Sequence, residues 1–174
     1  MTSRKARAFW PLAFLLLFTD CATKRLAESR LVDDYMPHEV IGDAVRFTLA
    51  YNPGAAFGFT VRPMSRWFFT TVAIVMVGLF LYWYRQASPH DDRFAAALGL
   101  VSGGAVGNML DRLRSERGVV DFIDIGVGDV RFWTFNIADV GLTVGAVILA
   151  VLLWKRESEA EERLALETAR PSGD

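Results

Sequence analysis

Residues 133–154 read WTFNIADVGLTVGAVILAVLLW, an apolar stretch with a tryptophan at each end and one carboxylate near its start. Its length lies within the roughly 17–25 residues that an α-helix needs to cross a bilayer. Tryptophan favours the membrane interfaces, so Trp133 and Trp154 are typical of the two ends of a spanning helix. The stretch therefore predicts a transmembrane helix, with Asp139 roughly 9 Å along it at a rise of about 1.5 Å per residue.

Three further apolar stretches precede this one, at about Ala8–Thr23, Trp67–Tyr84 and Phe94–Leu110. The chain has 174 residues, of which 52% are hydrophobic and 22% charged, so the charge must be segregated from the apolar segments. Buried helices of a soluble core are the alternative, but no amphipathic segment is left to cover them. We expect an all-α membrane protein with four transmembrane helices.

Glycines recur every four residues on the last two stretches. They lie at Gly99, Gly103 and Gly107 on the third and at Gly141 and Gly145 on the fourth. Small residues at this spacing let helices approach closely in lipid. We therefore predict that both helices pack tightly against partners.

A long polar segment separates the first two helices. Within it, Val45–Tyr51 alternates apolar and polar residues with the period of a half-buried strand. Asn52-Pro53-Gly54 then reads as a turn. At the other end of the chain, residues 155–174 form a charged tail that follows a membrane domain of residues 1–154.

Several classes of site are disfavoured by composition. Cys21 is the single cysteine, and His38 and His90 are the only histidines, so neither a disulfide framework nor a His/Cys metal site is expected. A formal net charge of −1 gives no reason to expect nucleic-acid binding. We predict no metal and no cofactor.

The N-terminus resembles a removable signal peptide, because Arg4, Lys5 and Arg7 precede an apolar run that Cys21 follows. Asp20, however, stands where a cleavage site requires a small neutral residue. A retained first helix is therefore favoured. The basic residues before it predict a cytoplasmic N-terminus, although basic residues on the opposite side weaken this orientation signal.

Four crossings alternate in direction, so the end of the first helix, the end of the third and the start of the fourth should share one membrane face. The unusual polar residues fall on that face. They are Asp20, Lys24, Asn52, Asn108, Asp111, Arg112, Asp121, Asp124, Asn136 and Asp139. A carboxylate such as Asp139 is costly within a bilayer and is retained for a partner or a function.

Two carboxyl groups close together can divide the work of peptide hydrolysis, one as base for water and one kept protonated. Asp139 with Asp121 is the pair favoured by position, with Asp124 as the rival of Asp121. Ion pairing of Asp139 with Arg112 or Lys24 is the structural alternative to a catalytic role. For Asp20 and Asp111, structural pairing with Lys24 and Arg112 is at least as plausible as a role in chemistry.

Other chemistries fit less well. A Ser102–Lys24 dyad is conceivable, but Ser102 lies about 9 Å below Asn108 on the helical rise. A proton-coupled transporter would need polar residues strung through the bilayer, whereas here they gather at one end. A catalytically inactive scaffold would tolerate the loss of one aspartate, and both are present.

Five blocks of sequence resemble those of lipoprotein signal peptidase (signal peptidase II), a family of membrane aspartic peptidases. The blocks are Asp20-Cys-Ala-Thr-Lys24, Asn52-Pro-Gly-Ala-Ala-Phe57, Gly103-Gly-Ala-Val-Gly-Asn-Met-Leu-Asp-Arg112, Val119-Val-Asp-Phe-Ile-Asp124 and Phe135-Asn-Ile-Ala-Asp139. The resemblance extends from about Phe9 to Trp154. The loop Leu113–Gly118 is about one residue longer than expected for the family.

The resemblance implies roles for particular residues. Asp121 and Asp139 would be the catalytic dyad. The residues lining the active site would be Asn52, Asn108, Arg112 and Asn136. The supporting residues would be Asp20, Lys24, Gly54 and Asp111. It also implies a small extramembrane β-cradle around Val45–Tyr51 and a short interfacial helix after Asn52.

The activity implied is removal of the signal peptide from a diacylglyceryl-modified prolipoprotein, with cleavage just before the lipidated cysteine. The enzyme would be a monomer in the bacterial cytoplasmic (inner) membrane and would contact membrane lipid. Its active site would lie near the outer face and both termini in the cytoplasm. It would also be a target of the cyclic peptide antibiotics that act on the family.

Overall fold

The computed structural model describes residues 3–31, 35–53, 55–56, 59–60 and 65–168, with backbone alone for 55–56, 59–60 and 65. The chain is mostly helical. Its helices are α1 (Arg4–Arg30), α2 (Ser65–Gln86), α3 (Asp92–Arg114) and α4 (Ile137–Thr168). Its strands are β1 (Pro37–Ile41), β2 (Val45–Asn52), β3 (Ala55–Ala56), β4 (Phe59–Thr60), β5 (Val119–Val127) and β6 (Val130–Arg131).

Helix α3 lies at the centre of the bundle, and the other three helices pack around it. Its glycines permit the close approach that the sequence predicted. A Cβ atom at Gly103 would lie 2.6 Å from the carbonyl oxygen of Ala13 on α1. A Cβ atom at Gly104 would lie 2.5 Å from the carbonyl oxygen of Ala138 on α4. Backbones that meet this closely gain dispersion contacts without needing the hydrophobic effect, which is absent between helices in lipid.

Three helical segments of the described residues are long and apolar enough to cross a membrane: Arg66–Gln86, Asp92–Arg114 and Ile137–Thr168. Helix α1 has 27 residues but is not among them. It carries Asp20 and Lys24 in its second half and basic residues at both ends, which lower its hydropathy. The prediction of a mostly helical membrane protein is thus confirmed, with three candidate spans among the described residues.

Helix α4 begins at Ile137, not at Trp133 as the apolar stretch predicted. The reason is a reciprocal cap at its N-terminus. The Asn136 side-chain oxygen accepts from the Asp139 backbone N–H at 3.0 Å, and the Asp139 carboxylate accepts from the Asn136 backbone N–H at 3.2 Å. This is the geometry of a capping box. Asp139 therefore lies in the first turn of α4, and the estimate that placed it 9 Å along a helix was wrong.

At its other end α4 continues past Trp154 to Thr168 as one exposed helix, so the described part of the charged tail is helical.

The start of α1, the end of α2, the start of α3 and the part of α4 around Arg156 lie together at one end of the bundle. Lys5 Nζ donates to the carbonyl oxygens of Tyr84, Arg85 and Ala87 at 3.0, 3.1 and 2.6 Å, which satisfies the C-terminus of α2. Arg156 pairs with Asp91 before α3. The helices therefore alternate in direction, as predicted.

The strands β1, β2, β5 and β6 form an antiparallel sheet in that order, and the predicted strand Val45–Tyr51 is confirmed as β2. Cross-strand pairing places Ala50 opposite Asp121 and Arg46 opposite Asp124. The sheet covers the end of the bundle at which α1 and α3 finish and α4 begins.

The short helix expected after Asn52 is not seen in the described residues of that segment. Residues 55–56 and 59–60 instead form the antiparallel pair β3–β4. Glycines at 54 and 58 disfavour a helix here, because glycine loses more backbone entropy than any other residue on entering one. Gly54 itself, predicted to be a supporting residue, lies outside the described residues.

Candidate active site

A cavity of about 690 Å³ opens between α2, α3 and α4 beneath the edge of the sheet. Most of its wall is apolar. The polar residues that line it include Asn52, Asn108, Arg112, Asp121, Asp139 and Thr143. The cavity thus combines a long apolar surface, suited to an acyl chain or an apolar peptide, with a group of convergent polar side chains.

The two aspartates of the predicted dyad both line this cavity, and Asn136 links them. The Asn136 Nδ2 atom donates to Asp121 Oδ1 at 2.6 Å, and its backbone N–H donates to Asp139 Oδ2 at 3.2 Å. Asp121 and Asn136 are buried, whereas Asp139 is partly exposed to the cavity. Asp121 reaches this point from β5 and Asp139 from the first turn of α4.

Asn108 connects the dyad to the charged residues behind it. Its Nδ2 atom donates to Asp139 Oδ1 at 2.8 Å. Its Oδ1 atom accepts from Lys24 Nζ at 2.8 Å and from Asn136 Nδ2 at 3.1 Å. The Lys24 contact fixes which end of the Asn108 amide is the oxygen, since an ammonium can only donate. The amide therefore directs a donor at Asp139.

Lys24 lies at the centre of a buried ion cluster that joins four elements. Its Nζ atom contacts Asp20 Oδ2 at 2.7 Å and Asp111 Oδ2 at 2.8 Å, and its side chain is 2% exposed. Asp20 Oδ1 accepts from the Ala138 backbone N–H at 2.9 Å, at the start of α4. Asp111 Oδ2 accepts from the Val120 backbone N–H at 3.3 Å, on β5. The cluster ties α1 and α3 to the two segments that carry the dyad.

Burial raises the pKa of Asp121 to about 7, and the negative charge of Asp139 adds to the shift. The hydrogen bonds from Asn136 and Asn52, and the charge of Lys24, act in the opposite direction but do not cancel it. Asp139 lies at a helix N-terminus, where the backbone N–H groups favour a negative charge. Of the two carboxyls of the site, Asp121 therefore has the environment suited to holding a proton.

Asp124, the rival of Asp121, is directed elsewhere. Its carboxylate accepts from Arg131 Nε at 2.6 Å, from Thr48 Oγ1 at 3.0 Å and from Arg46 Nε at 3.2 Å. Burial would raise its pKa, but these hydrogen bonds outweigh burial and lower it. Asp124 joins β2, β5 and β6 and does not belong to the cavity wall.

Arg112 and Asn52 complete the polar end of the cavity. The Arg112 guanidinium stacks on the Phe69 ring at 5.6 Å, and its Nη1 atom donates to the Asn108 carbonyl at 3.2 Å. Both dyad carboxylates attract it electrostatically. Asn52, at the end of β2, hydrogen-bonds Asp121 with its side chain. Gly118 makes room for it, because a Cβ atom there would lie 2.1 Å from the Asn52 carbonyl oxygen.

The alternatives raised by the sequence find less support in this geometry. Among the described residues, no ion pair joins Asp139 to Arg112 or to Lys24. Asp111 pairs with Lys24 and not with Arg112. The Ser102 hydroxyl is buried without a hydrogen-bond partner in the described part of the chain, and the ammonium of Lys24 is already engaged by other groups.

Some residues of the site were missed by sequence reasoning. Residues 132–135, between β6 and α4, line the cavity, whereas Trp133 was expected at the membrane end of a helix. Asp20 was expected to pair with Lys24, but its hydrogen bond to the N-terminus of α4 was not foreseen. Neither has a local signal, because each depends on contacts between residues far apart in sequence.

Comparisons with known proteins connect the chain to a family. The family model described as signal peptidase (SPase) II matches residues 12–155. A lipoprotein signal peptidase from Ectopseudomonas mendocina (strain ymp) is 39% identical over 154 residues, which cover 87% of this chain and 90% of the relative. One from Symbiobacterium thermophilum is 40% identical and covers 79% of this chain and 88% of the relative.

Two solved structures share the fold. A bacterial membrane enzyme determined by the in meso method at 2.3 Å superposes with a TM-score of 0.75 at 29% identity, over 85% of this chain and 88% of the other. A second, at 1.9 Å, has a TM-score of 0.73 at 27% identity, over 88% and 97% of the two chains. With a family match over most of its length and relatives at this identity, the chain belongs to the signal peptidase II family of membrane aspartic proteases.

Proposed function

We propose that this protein removes the signal peptide from diacylglyceryl-modified prolipoproteins by cutting just before the lipidated cysteine, with Asp121 and Asp139 as the catalytic dyad. The observation that carries the proposal is the pair of carboxyls bridged by Asn136 at the polar end of a mostly apolar cavity. The names of the relatives, lipoprotein signal peptidase, give the substrate class.

In the proposed reaction Asp121 holds a proton and Asp139 is ionised. The Asp139 carboxylate takes a proton from water, which attacks the scissile carbonyl carbon while Asp121 donates a proton to the carbonyl oxygen. The resulting tetrahedral diol collapses when Asp139 returns its proton to the leaving amine and Asp121 recovers one from a hydroxyl. Arg112, Asn52 and Asn108 orient the carboxyls and stabilise charge in the transition state.

The supporting roles of Asp20, Lys24 and Asp111 follow from their contacts. A buried cluster of two carboxylates and one ammonium ties α1 and α3 to the backbone N–H groups beside Asp121 and at the start of α4. We assign Gly54 to the supporting group on sequence resemblance alone.

The membrane setting we propose is multi-pass insertion in the cytoplasmic (inner) membrane of a bacterium, with residues 1–154 as the peptidase domain and 155–174 as a cytoplasmic tail. Helix α1 is the fourth span, because it packs along the apolar α3 and exposes Phe14, Leu15 and Phe18 outwards. Basic residues, including Lys5 and Arg156, gather at the end of the bundle where α1 begins. They favour a cytoplasmic location for that end. The dyad then lies near the outer face, where the modified cysteine would enter from the lipid.

We further propose that the enzyme acts as a monomer, since the dyad and the residues around it all come from one chain. The same cavity would bind the cyclic peptide antibiotics that act on the family, because it offers an apolar wall beside two carboxyls.

A gel-shift cleavage assay tests the function. The substrate is a diacylglyceryl-modified prolipoprotein, and the enzymes are wild type, Asp121→Asn, Asp139→Asn and, as matched control, Asp129→Asn, an exposed aspartate in the β5–β6 turn. We expect cleavage by the wild type and the control and a loss of at least about 1,000-fold in both dyad variants. An inactive wild type, or a folded dyad variant that still cleaves at the normal rate, would refute the assignment.

A further inference from the structure

Arg112 is held by the first turn of α2, which carries neither aspartate of the site. Arg112 lies two residues before the end of α3, where the last carbonyl groups of a helix lack intrahelical partners. Arg66 supplies a donor there. Its Nε atom donates to the Arg112 carbonyl at 2.6 Å, and its Nη2 atom donates to the Leu113 carbonyl at 3.4 Å.

The same turn of α2 also contacts the other end of Arg112. Phe69 follows Arg66 by three residues, so the two side chains project from the same face of the helix. The Phe69 ring lies 5.6 Å from the Arg112 guanidinium, and Phe69 lines the cavity. One helical turn thus fixes the backbone of Arg112 through Arg66 and its guanidinium through Phe69.

The remaining contacts of Arg66 explain its position less well than its hydrogen bonds to the end of α3. Its ion pair with Glu116 is 3.7 Å long and Glu116 is 97% exposed, so the pair contributes little. Its stacking on Trp67, at 4.9 Å, is between neighbours in the chain. The short hydrogen bond to the Arg112 carbonyl is therefore the strongest polar contact that Arg66 makes with another helix.

We propose that Arg66, together with Phe69, is a positioning residue for the peptidase reaction and acts through Arg112. Arg66 does not belong to the cavity wall, so it acts without touching substrate. Its guanidinium holds the C-terminus of α3 so that the Arg112 guanidinium faces the two dyad carboxylates. The inference rests on the proposed function, because it assumes that Arg112 acts in that reaction.

A double-mutant cycle tests the inference. Arg66→Gln is made in the wild type and in Arg112→Lys, and kcat and KM for a diacylglyceryl-modified peptide are measured with the unfolding temperature of each protein. The matched control is Arg30→Gln, an exposed arginine in the last turn of α1. We expect Arg66→Gln to lower kcat roughly 10- to 100-fold, with KM within about threefold of the wild type. In the Arg112→Lys background the same substitution should lower kcat less than about threefold.

Two further variants keep the test informative if Arg66→Gln folds poorly. Arg66→Lys retains one donor and should keep more of kcat than Arg66→Gln, and Phe69→Leu should lower kcat in the wild type but not in Arg112→Lys. Equal losses in the two backgrounds, or an effect on KM alone, would overturn the inference. An inactive wild type would instead refute the proposed function, so the two failures are distinguishable.

Discussion

Two aspartates three residues apart on β5 should respond in opposite ways to the same substitution. Asp121 and Asp124 are both buried, at 4% and 5% exposure. The pKa of Asp121 is raised to about 7, whereas hydrogen bonds from two arginines and a threonine lower that of Asp124. We therefore predict that Asp121→Asn stabilises the protein at pH 8 while Asp124→Asn destabilises it.

The magnitude for Asp121 follows from linkage. The native carboxyl keeps its proton up to about pH 7, whereas an aspartate in the unfolded chain has its ordinary pKa of 3.8. Between these values the folded state binds more protons than the unfolded state, so the free energy of unfolding falls as pH rises. A difference of about 3 pKa units corresponds to a ceiling of about 4 kcal/mol at 1.36 kcal/mol per unit. Asp121→Asn removes this penalty, and its amide oxygen can still accept from Asn136.

For Asp124 the sign is reversed. Its pKa is lowered, so its contribution is present at neutral pH and is lost as pH falls through the native pKa. Replacing the carboxylate by an amide weakens charge-assisted hydrogen bonds to Arg46 and Arg131, at a cost of about 1–3 kcal/mol. Because Asp124 lies off the cavity wall, folded Asp124→Asn should cleave within a few-fold of the wild-type rate, whereas Asp121→Asn should not cleave.

Unfolding temperatures in detergent, followed by tryptophan fluorescence from pH 4 to pH 8.5, test this pair. We expect Asp121→Asn to unfold above the wild type at pH 8 and the gap to close towards pH 4. We expect Asp124→Asn to unfold below the wild type at pH 8. A pH-independent gap, or a less stable Asp121→Asn at pH 8, would refute the argument that burial and the charge of Asp139 raise the pKa of Asp121.

Three further predictions follow from the site. Lys24→Met leaves two buried carboxylates without their cation and should lower the free energy of unfolding by about 3–5 kcal/mol, measured by reversible unfolding in detergent. Gly118→Ala places a Cβ at a residue with φ +97° and against the Asn52 carbonyl, so it should displace Asn52 and lower kcat more than KM rises. Because Asp121 must hold its proton, kcat/KM should fall as pH rises through about 7, and a flat profile from pH 6 to 9 would contradict the assigned roles.

How far the fold could be predicted depends on whether the signal is local. Apolar length, interfacial aromatics, a four-residue glycine spacing and two-residue alternation are local signals. They predicted the helices, the tight packing of α3 and α4 and the strand at Val45–Tyr51. The predicted start of α4 at Trp133 was wrong because hydropathy alone does not reveal the cap made by Asn136 and Asp139. This cap makes the helix begin after residue 136. The helix expected after Asn52 was wrong for residues 55–56 and 59–60, which pair as strands, because two glycines in this segment disfavour a helix.

The sequence by itself determined which residues gather at one end of the bundle, because helices that alternate in direction bring polar ends together whatever their orientation. It also supplied both members of the proposed dyad, with the choice of Asp121 over Asp124 resting on resemblance. Only the tertiary structure decided how these residues differ, since burial, a helix N-terminus and cross-strand arginines arise from segments far apart in the chain. Local composition cannot report such contacts, and they are what leave Asp121 prone to hold a proton and Asp124 bound within the sheet.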